Sequence, residues 1–332
     1  MSLAADNPTL LDITRAQAPD GAIAAVAEIL TETNEMLLDI PFMEGNLATG
    51  HRTTIRTGLP EPTWRMFYGG VQPTKSTRAQ ITDNTAMLEA YAEVDKALAD
   101  LNGNTAAFRM SEDYAHLEGM SQAAQQAFIF GNEALNPNQF NGLAPRFSSL
   151  SAANADNIID AQGTGSDNAS IWLVVWGPNT AHGIYPKGLA GGLQMQDLGE
   201  VTIENVDGQQ GRMQGYRTHY SWKLGLCVRD WRYVIRICNI DRSDLNAAIS
   251  GNSANLPELM FEAVERLPSL TAGTPVFYMD RGIRTKLRQQ LATGVKQSTL
   301  TVEQMGGVRT VMFDEIPIRR VDRLAVDEAR IV

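Results

Sequence analysis

Between Asn104 and Gly131 apolar residues recur at three- and four-residue steps: Ala107, Met110, Tyr114, Leu117, Met120, Ala124 and Phe128. That spacing puts them on one stripe of an α-helix. Asn104 suits the N-cap, and Gly131 suits a left-handed stop. Glu112, Asp113 and Glu118 fall in the N-terminal half, where the helix dipole favours negative charge. At 1.5 Å per residue the helix would be about 40 Å long. A rod of that length can serve as the spine of a flat or elongated molecule.

The pattern before the spine changes repeatedly. Residues 1–19 are irregular, with Pro8 and Pro19, and read as an arm. Residues 20–38 read as a short amphipathic helix capped by Asp20, with Ile23, Val26, Ala27, Leu30 and Leu37 on one face and Pro41 ending it. In residues 42–82, GHRTTIRTG and TWRMFYGG are punctuated by Gly45, Gly50, Gly58, Pro60, Pro62, Gly69, Gly70 and Pro73. No helix survives that punctuation, whereas strands joined by turns do. Trp64, Met66, Phe67 and Tyr68 are too apolar for a free loop and need a surface, either the chain's own core or a neighbouring subunit. Residues 85–101 predict an extended start turning helical near Val94. A break at Asn102-Gly103-Asn104 then precedes the spine.

Residues 132–170 form a long Asn/Ser/Ala/Gly-rich connection with Pro137 and Pro145, and a domain boundary is expected near residue 157. IWLVVW (171–176) reads as a fully buried strand. Residues 177–188 read as a turn-rich excursion, and 199–211 as a strand and turn carrying Asp207-Gly208. Residues 213–240 predict two strands broken near Gly225. Within them Asp230 lies among Arg229, Arg232 and Arg236, either as cross-strand ion pairs or as charge pairing with another copy of the chain. Residues 256–267 predict a helix with Pro257 in its first turn, and PVFYMD (275–280) a short strand. Asp280 would cap the basic helix 281–294, whose Arg281, Arg284, Lys286 and Arg288 read as a solvated face. VRTVMF and IPIRRVDRL close the chain as strands.

Composition narrows the function. The 332 residues allow one large domain or two to three smaller ones. A net charge of −10, with no long Lys/Arg run, argues against a surface that grips nucleic acid. Neither a signal peptide nor an apolar run of about 18 residues is present, so no membrane span is expected. Cys227 and Cys238 read as buried, reduced thiols. The histidines His51, His116, His182 and His219 lack paired ligand spacing, so no metal is expected. GTGSDN (163–168) precedes a strand and lacks a third glycine, and there is no phosphate loop and no GxSxG elbow, so no cofactor is expected. The best isolated acid–base candidate is His182 near Asp167, against the alternative of a hydrogen-bonded structural histidine.

Four segments carry a family resemblance: EGNLATGHRTTIRTGLPEPTWR, MLEAYAEVDKALADLNGNTAAFR, NIIDAQGTGSDNASIWLVVWGPNTAHGIYPKG and LCVRDWRYVIRICNID. In order and content the chain resembles the major capsid proteins of tailed bacteriophages, and among them the group of the short-tailed phage infecting Bordetella. The resemblance implies an α+β, Hong Kong 97-like fold and a non-enzymatic shell subunit. Residues 1–43 would be an N-terminal arm, and 44–82 an extended β-hairpin loop lapping over a neighbour. Residues 83–157 would form a peripheral domain with the spine helix at 104–131, 158–267 an axial domain, and 268–332 the segments completing both. Implied partners are copies of the same chain in pentamers and hexamers, scaffolding and portal proteins, and room for a cement protein. The shell would enclose double-stranded DNA without reading its sequence, in a virion assembled in the bacterial cytoplasm. Contact candidates between subunits are Trp64, Met66, Phe67, Tyr68, Arg229, Asp230, Arg232 and Arg236. Some relatives carry a Lys–Asn crosslink. No matching pair is found here, and Lys75 is the one loop lysine worth testing. The competing readings are a β-rich hydrolase using His182, and a phage adhesin or decoration module.

Overall fold

The computed structural model describes residues 35–101, 104–204, 211–246, 254–294, 300–305, 308–324 and 327–332. Most of the expected arm, most of the helix at 20–38 and the Asp207-Gly208 turn lie outside the described residues. In chain order the strands are β1 (Phe42–Glu44), β2 (Gly50–Gly58), β3 (Thr77–Asp95), β4 (Ile158–Asp160), β5 (Asn168–Trp176), β6 (Ala181–Tyr185) and β7 (Leu193–Glu204). They continue with β8 (Arg212–Val228), β9 (Val234–Asp241), β10 (Thr274–Met279), β11 (Leu300–Met305), β12 (Val308–Phe313) and β13 (Ile316–Arg320). Two compact units share them. One takes in residues 87–125 and 192–223, and the other 35–86, 126–191 and 224–332. Neither is a single block of sequence, because the chain passes between them within β3, the spine helix and β8.

In the larger unit β5 is buried along its whole length, as its unbroken apolar run requires. It pairs antiparallel with β10 and with β9, and strands β11-β12-β13-β10-β5 follow in that order. The helices Leu256–Glu265 and Arg281–Gly294 cover this sheet. Met260, Ile283 and Leu287 pack with Ile171, Leu173, Ile237 and Phe277. Ile283, Leu287 and Leu291 are buried at four-residue steps and Arg281 and Arg288 are exposed, but Arg284 is partly buried, and that burial is the first cause of its lowered pKa, so the expected solvated face does not include it. Asp280 starts this helix as expected, its Oδ2 accepting the Gly282 amide at 2.6 Å.

In the smaller unit β7 and β8 form a long antiparallel hairpin, with a bulge between Asp197 and Gly199 where Gly199 adopts φ +68°. Phe108 of the spine helix packs with Val94 and Ala99, and Met120 with Ala92 and Tyr220. Ion pairs Arg109–Asp197 (2.6 Å), Arg217–Glu93 (2.6 Å) and Lys96–Glu200 (2.7 Å) line the same unit.

The spine helix spans Thr105–Phe130, about 39 Å. The Asn104 side chain accepts the Ala107 amide, as predicted. Its stop differs from expectation: Gly131 is not left-handed. Glycine is needed there because a Cβ would collide with the Ala127 and Phe140 carbonyl oxygens. The returning chain then satisfies the helix end, Leu143 N–H donating to Phe128 C=O and Gly142 N–H to Gly131 C=O. The expected apolar stripe is buried only in its C-terminal part. Met110 and Tyr114 are each 57% exposed, because β3 and β8 meet the helix at Phe108 and Met120 instead.

The change from strand to helix after Val94 is where the alternation predicts it: β3 ends at Asp95, which caps Lys96–Asp100 by accepting the Ala97 amide. Three expectations need correction. Residues 177–188 contain a buried strand, β6, paired with β8 and β1. The strand through Gly225 does not break there. Glycine instead allows close approach, since an added Cβ would lie 2.7 Å from the Asn84 carbonyl oxygen. The break comes at residues 229–233. The connection 132–170 is also structured, with Phe140, Leu143 and Phe147 fully buried.

Candidate assembly surface

The β2–β3 hairpin is firmly held at its root and bare at its tip. Pairing runs from Gly50↔Asn84 to Gly58↔Thr77. At the root Arg146 bonds the buried Asp83 carboxylate at 2.8 Å and the carbonyls of Asn141 and Leu226. Asn84 donates to Glu133 at 2.7 Å, and the Thr85 amide to Thr49 C=O at 2.9 Å. Residues 59–76 are irregular apart from a turn closed by Gly69 N–H to Met66 C=O. Tyr68 in that turn sits at φ +64°, a conformation non-glycine residues rarely take.

The predicted loop residues come together at this tip, and none of the described residues covers them. Relative exposure is 101% for Trp64, 83% for Met66, 95% for Phe67 and 106% for Tyr68, flanked by exposed Leu59 and Val71. Contiguous bare apolar surface of this kind marks an interaction site. Burying the three aromatic rings, at roughly 150–250 Å² each, would release on the order of 10–20 kcal/mol before the costs of ordering. Lys75 is exposed on the same loop.

Three of the four charged candidates meet at one turn beside the hairpin. Arg229, Asp230 and Arg232, with residues 53–59 and Asn179, line an open groove of about 640 Å³. Arg229 donates to Pro178 C=O at 3.0 Å and to Asn179 at 3.2 Å. Asp230 caps the short turn Trp231–Tyr233 and pairs with Arg232 at 2.7 Å, so this ion pair lies within one turn and does not cross strands. Arg236 must be withdrawn from the set. It is 4% exposed and points inward from β9, bonding Phe147 C=O at 2.8 Å, Glu328 at 2.8 Å and Ser170 at 3.1 Å. A charge so buried persists because Glu328 pairs with it.

The acid–base pair suggested for His182 and Asp167 is not assembled. Asp167 accepts from the Ser243 hydroxyl at 2.7 Å, and this bond is the first cause of its lowered pKa. The titratable groups that act on His182 are His51, Arg229 and Asp83. Burial, then His51 and Arg229, hold the His182 imidazole down to about 4, so it is neutral near pH 7. Both cysteines are free and buried. Sequence spacing could not show that Cys227 lies against His51 and His182, because the three come from β8, β2 and β6. Among the described residues no helix is long and apolar enough to cross a membrane.

Residues 18–332 match the family model described as Major capsid protein GP7. The chain belongs to this family. A chain of the bacteriophage Epsilon15 structure is 35% identical to the capsid subunit, covering 97% of each chain at a TM-score of 0.76. The bacteriophage JBD30 capsid is 10% identical over 92% of this chain and 98% of that one, at a TM-score of 0.49. The SrpI encapsulin of Synechococcus elongatus is 10% identical over 70% and 95%, at 0.43. The last two are too distant to carry an argument. No curated protein matches. The fold is the mixed α/β Hong Kong 97-like capsid fold, and the subunit is the major capsid protein that forms the icosahedral head shell of a tailed phage. It is a structural virion component, not an enzyme, and the hydrolase and adhesin readings fall away.

Proposed function

We propose that the hairpin at 44–82 laps over an adjacent subunit and that Trp64, Met66, Phe67 and Tyr68 are its main anchors. The observation carrying this reading is their full exposure at the end of a rigidly rooted hairpin. Arg229, Asp230 and Arg232, beside strand β2 of the hairpin, supply polar contacts at the same interface. Lattice overlap of this kind makes assembly multivalent, so contacts that are weak singly add together.

The remaining assignments extend the same reading. Copies of the chain form pentamers and hexamers. Residues 83–157 serve the peripheral domain and 158–267 the axial one, with 268–332 completing both, and 1–43 act as an arm. Scaffolding, portal and cement proteins are the partners expected of such a shell. The net charge of −10 suits a container from which packaged double-stranded DNA can slide free. The grouping with the short-tailed phage infecting Bordetella rests on the four segments quoted above.

Replacing residues 59–76 with a short Gly-Ser turn tests the loop assignment. The shortened subunit should keep its circular dichroism spectrum and its cooperative melt while forming no particles under negative stain. Normal particles from the shortened chain would refute the assignment.

A further inference from the structure

We propose that His51, His182 and Cys227 form a binding site for a divalent transition metal of the zinc class, at the root of the projecting hairpin. One ligand atom from each residue lies within 4.8 Å of the other two. The strand register makes this arrangement. His182 and Cys227 are direct cross-strand partners on β6 and β8, and so share a face of the sheet. His51 comes from β2, its ring edge-on to His182 with centroids 5.8 Å apart.

Two buried nitrogen atoms point to a missing ligand. The Nδ1 atoms of both histidines are buried and have no hydrogen-bond partner among the described residues, and His182 is 1% exposed. Buried polar atoms without partners are uncommon and call for an explanation.

The chemistry suits zinc. Imidazole nitrogen and thiolate sulfur are its preferred donors, at about 2.0–2.1 and 2.3 Å. A tetrahedral site of those bond lengths needs its ligand atoms roughly 3.3–3.7 Å apart, and the three atoms already lie within 4.8 Å of one another. The Asp83 carboxylate faces the Cys227 thiol, and its buried Oδ2 lacks a partner among the described residues. It lies outside the cluster of three, so the fourth position is left open. On binding, the thiol proton leaves to solvent and one metal–sulfur and two metal–nitrogen bonds form. No redox change is involved. The bound ion would tie β2, and with it the hairpin, to β6 and β8.

The test uses the full-length subunit, stripped with chelator under reducing conditions and titrated with Co²⁺, then Zn²⁺. The expected result is saturation at one ion per chain, with tetrahedral d–d bands and a thiolate-to-cobalt charge-transfer band that Zn²⁺ displaces. Cys227→Ser should abolish the charge-transfer band. His51→Ala, at a partly buried position, should weaken binding on the order of 100-fold or more. His219→Ala, outside the cluster, should bind as the parent does. Zinc should raise the melting temperature of the parent and not that of Cys227→Ser. Cobalt uptake without a thiolate band, no uptake at all by the folded parent, or equal uptake by Cys227→Ser would overturn the proposal.

Discussion

Arg146 reaches the buried carboxylate of Asp83 at 2.8 Å, from the chain that returns after the spine helix to the strand that begins the second arm of the hairpin. This pair fixes the base of an element whose tip has no cover. Removing one partner strands the other charge, which typically costs about 3–5 kcal/mol when buried. Arg146→Met, which strands the buried Asp83 carboxylate, is therefore expected to lose at least about 3 kcal/mol in urea denaturation. In Asp83→Ala the partly exposed Arg146 guanidinium can re-solvate, so that variant should cost less.

Glycine positions give a paired contrast. A Cβ at Gly225 would press on the Asn84 carbonyl at 2.7 Å, while one at Gly119, on an exposed face of the spine helix, would meet nothing within 4 Å. Gly225→Ala should destabilise the subunit by about 1–3 kcal/mol. Gly119→Ala should stabilise it by roughly 0.5–1 kcal/mol through helix propensity. Thermal melts of the two variants beside the parent measure both signs.

Two tyrosines should resist alkali. Burial, then Asp113, pushes Tyr220 up to about 12, and burial, then Asp39, holds Tyr278 well above the ordinary value. A folded pKa above the unfolded one favours the neutral form. The associated stability is complete below about pH 10 and is lost as pH rises through the folded value. Absorbance titration at alkaline pH should show a late phase that coincides with unfolding. Tyr220→Phe and Tyr278→Phe should each reduce it by one residue.

Much of the architecture was readable where one periodicity ruled a segment. The run IWLVVW could only be a strand covered on both faces, and the change to helix after Val94 was visible in the alternation ending there. The quartet at 64–68 was legible as an apolar group set among turn residues, while its covering surface, the chain's own core or a neighbour, was not. What misled was chemistry decided by distant chain. Gly225 looked like a break because sequence does not show the Asn84 carbonyl that needs its bare face. Arg236 looked like a surface charge because its partner, Glu328, is 92 residues away. His51, His182 and Cys227 looked unrelated because strand pairing, not spacing, brings them together. Met110 and Tyr114 match the helical period as well as Met120 does, and only the placement of β3 and β8 leaves them outside.

The most direct test of the shell interface is an electron cryomicroscopy reconstruction of the assembled particle, read at Trp64, Phe67 and Tyr68. The account predicts that all three rings lie against a neighbouring copy of the chain, with most of their present exposure gone. Rings still facing solvent in the closed shell would contradict it.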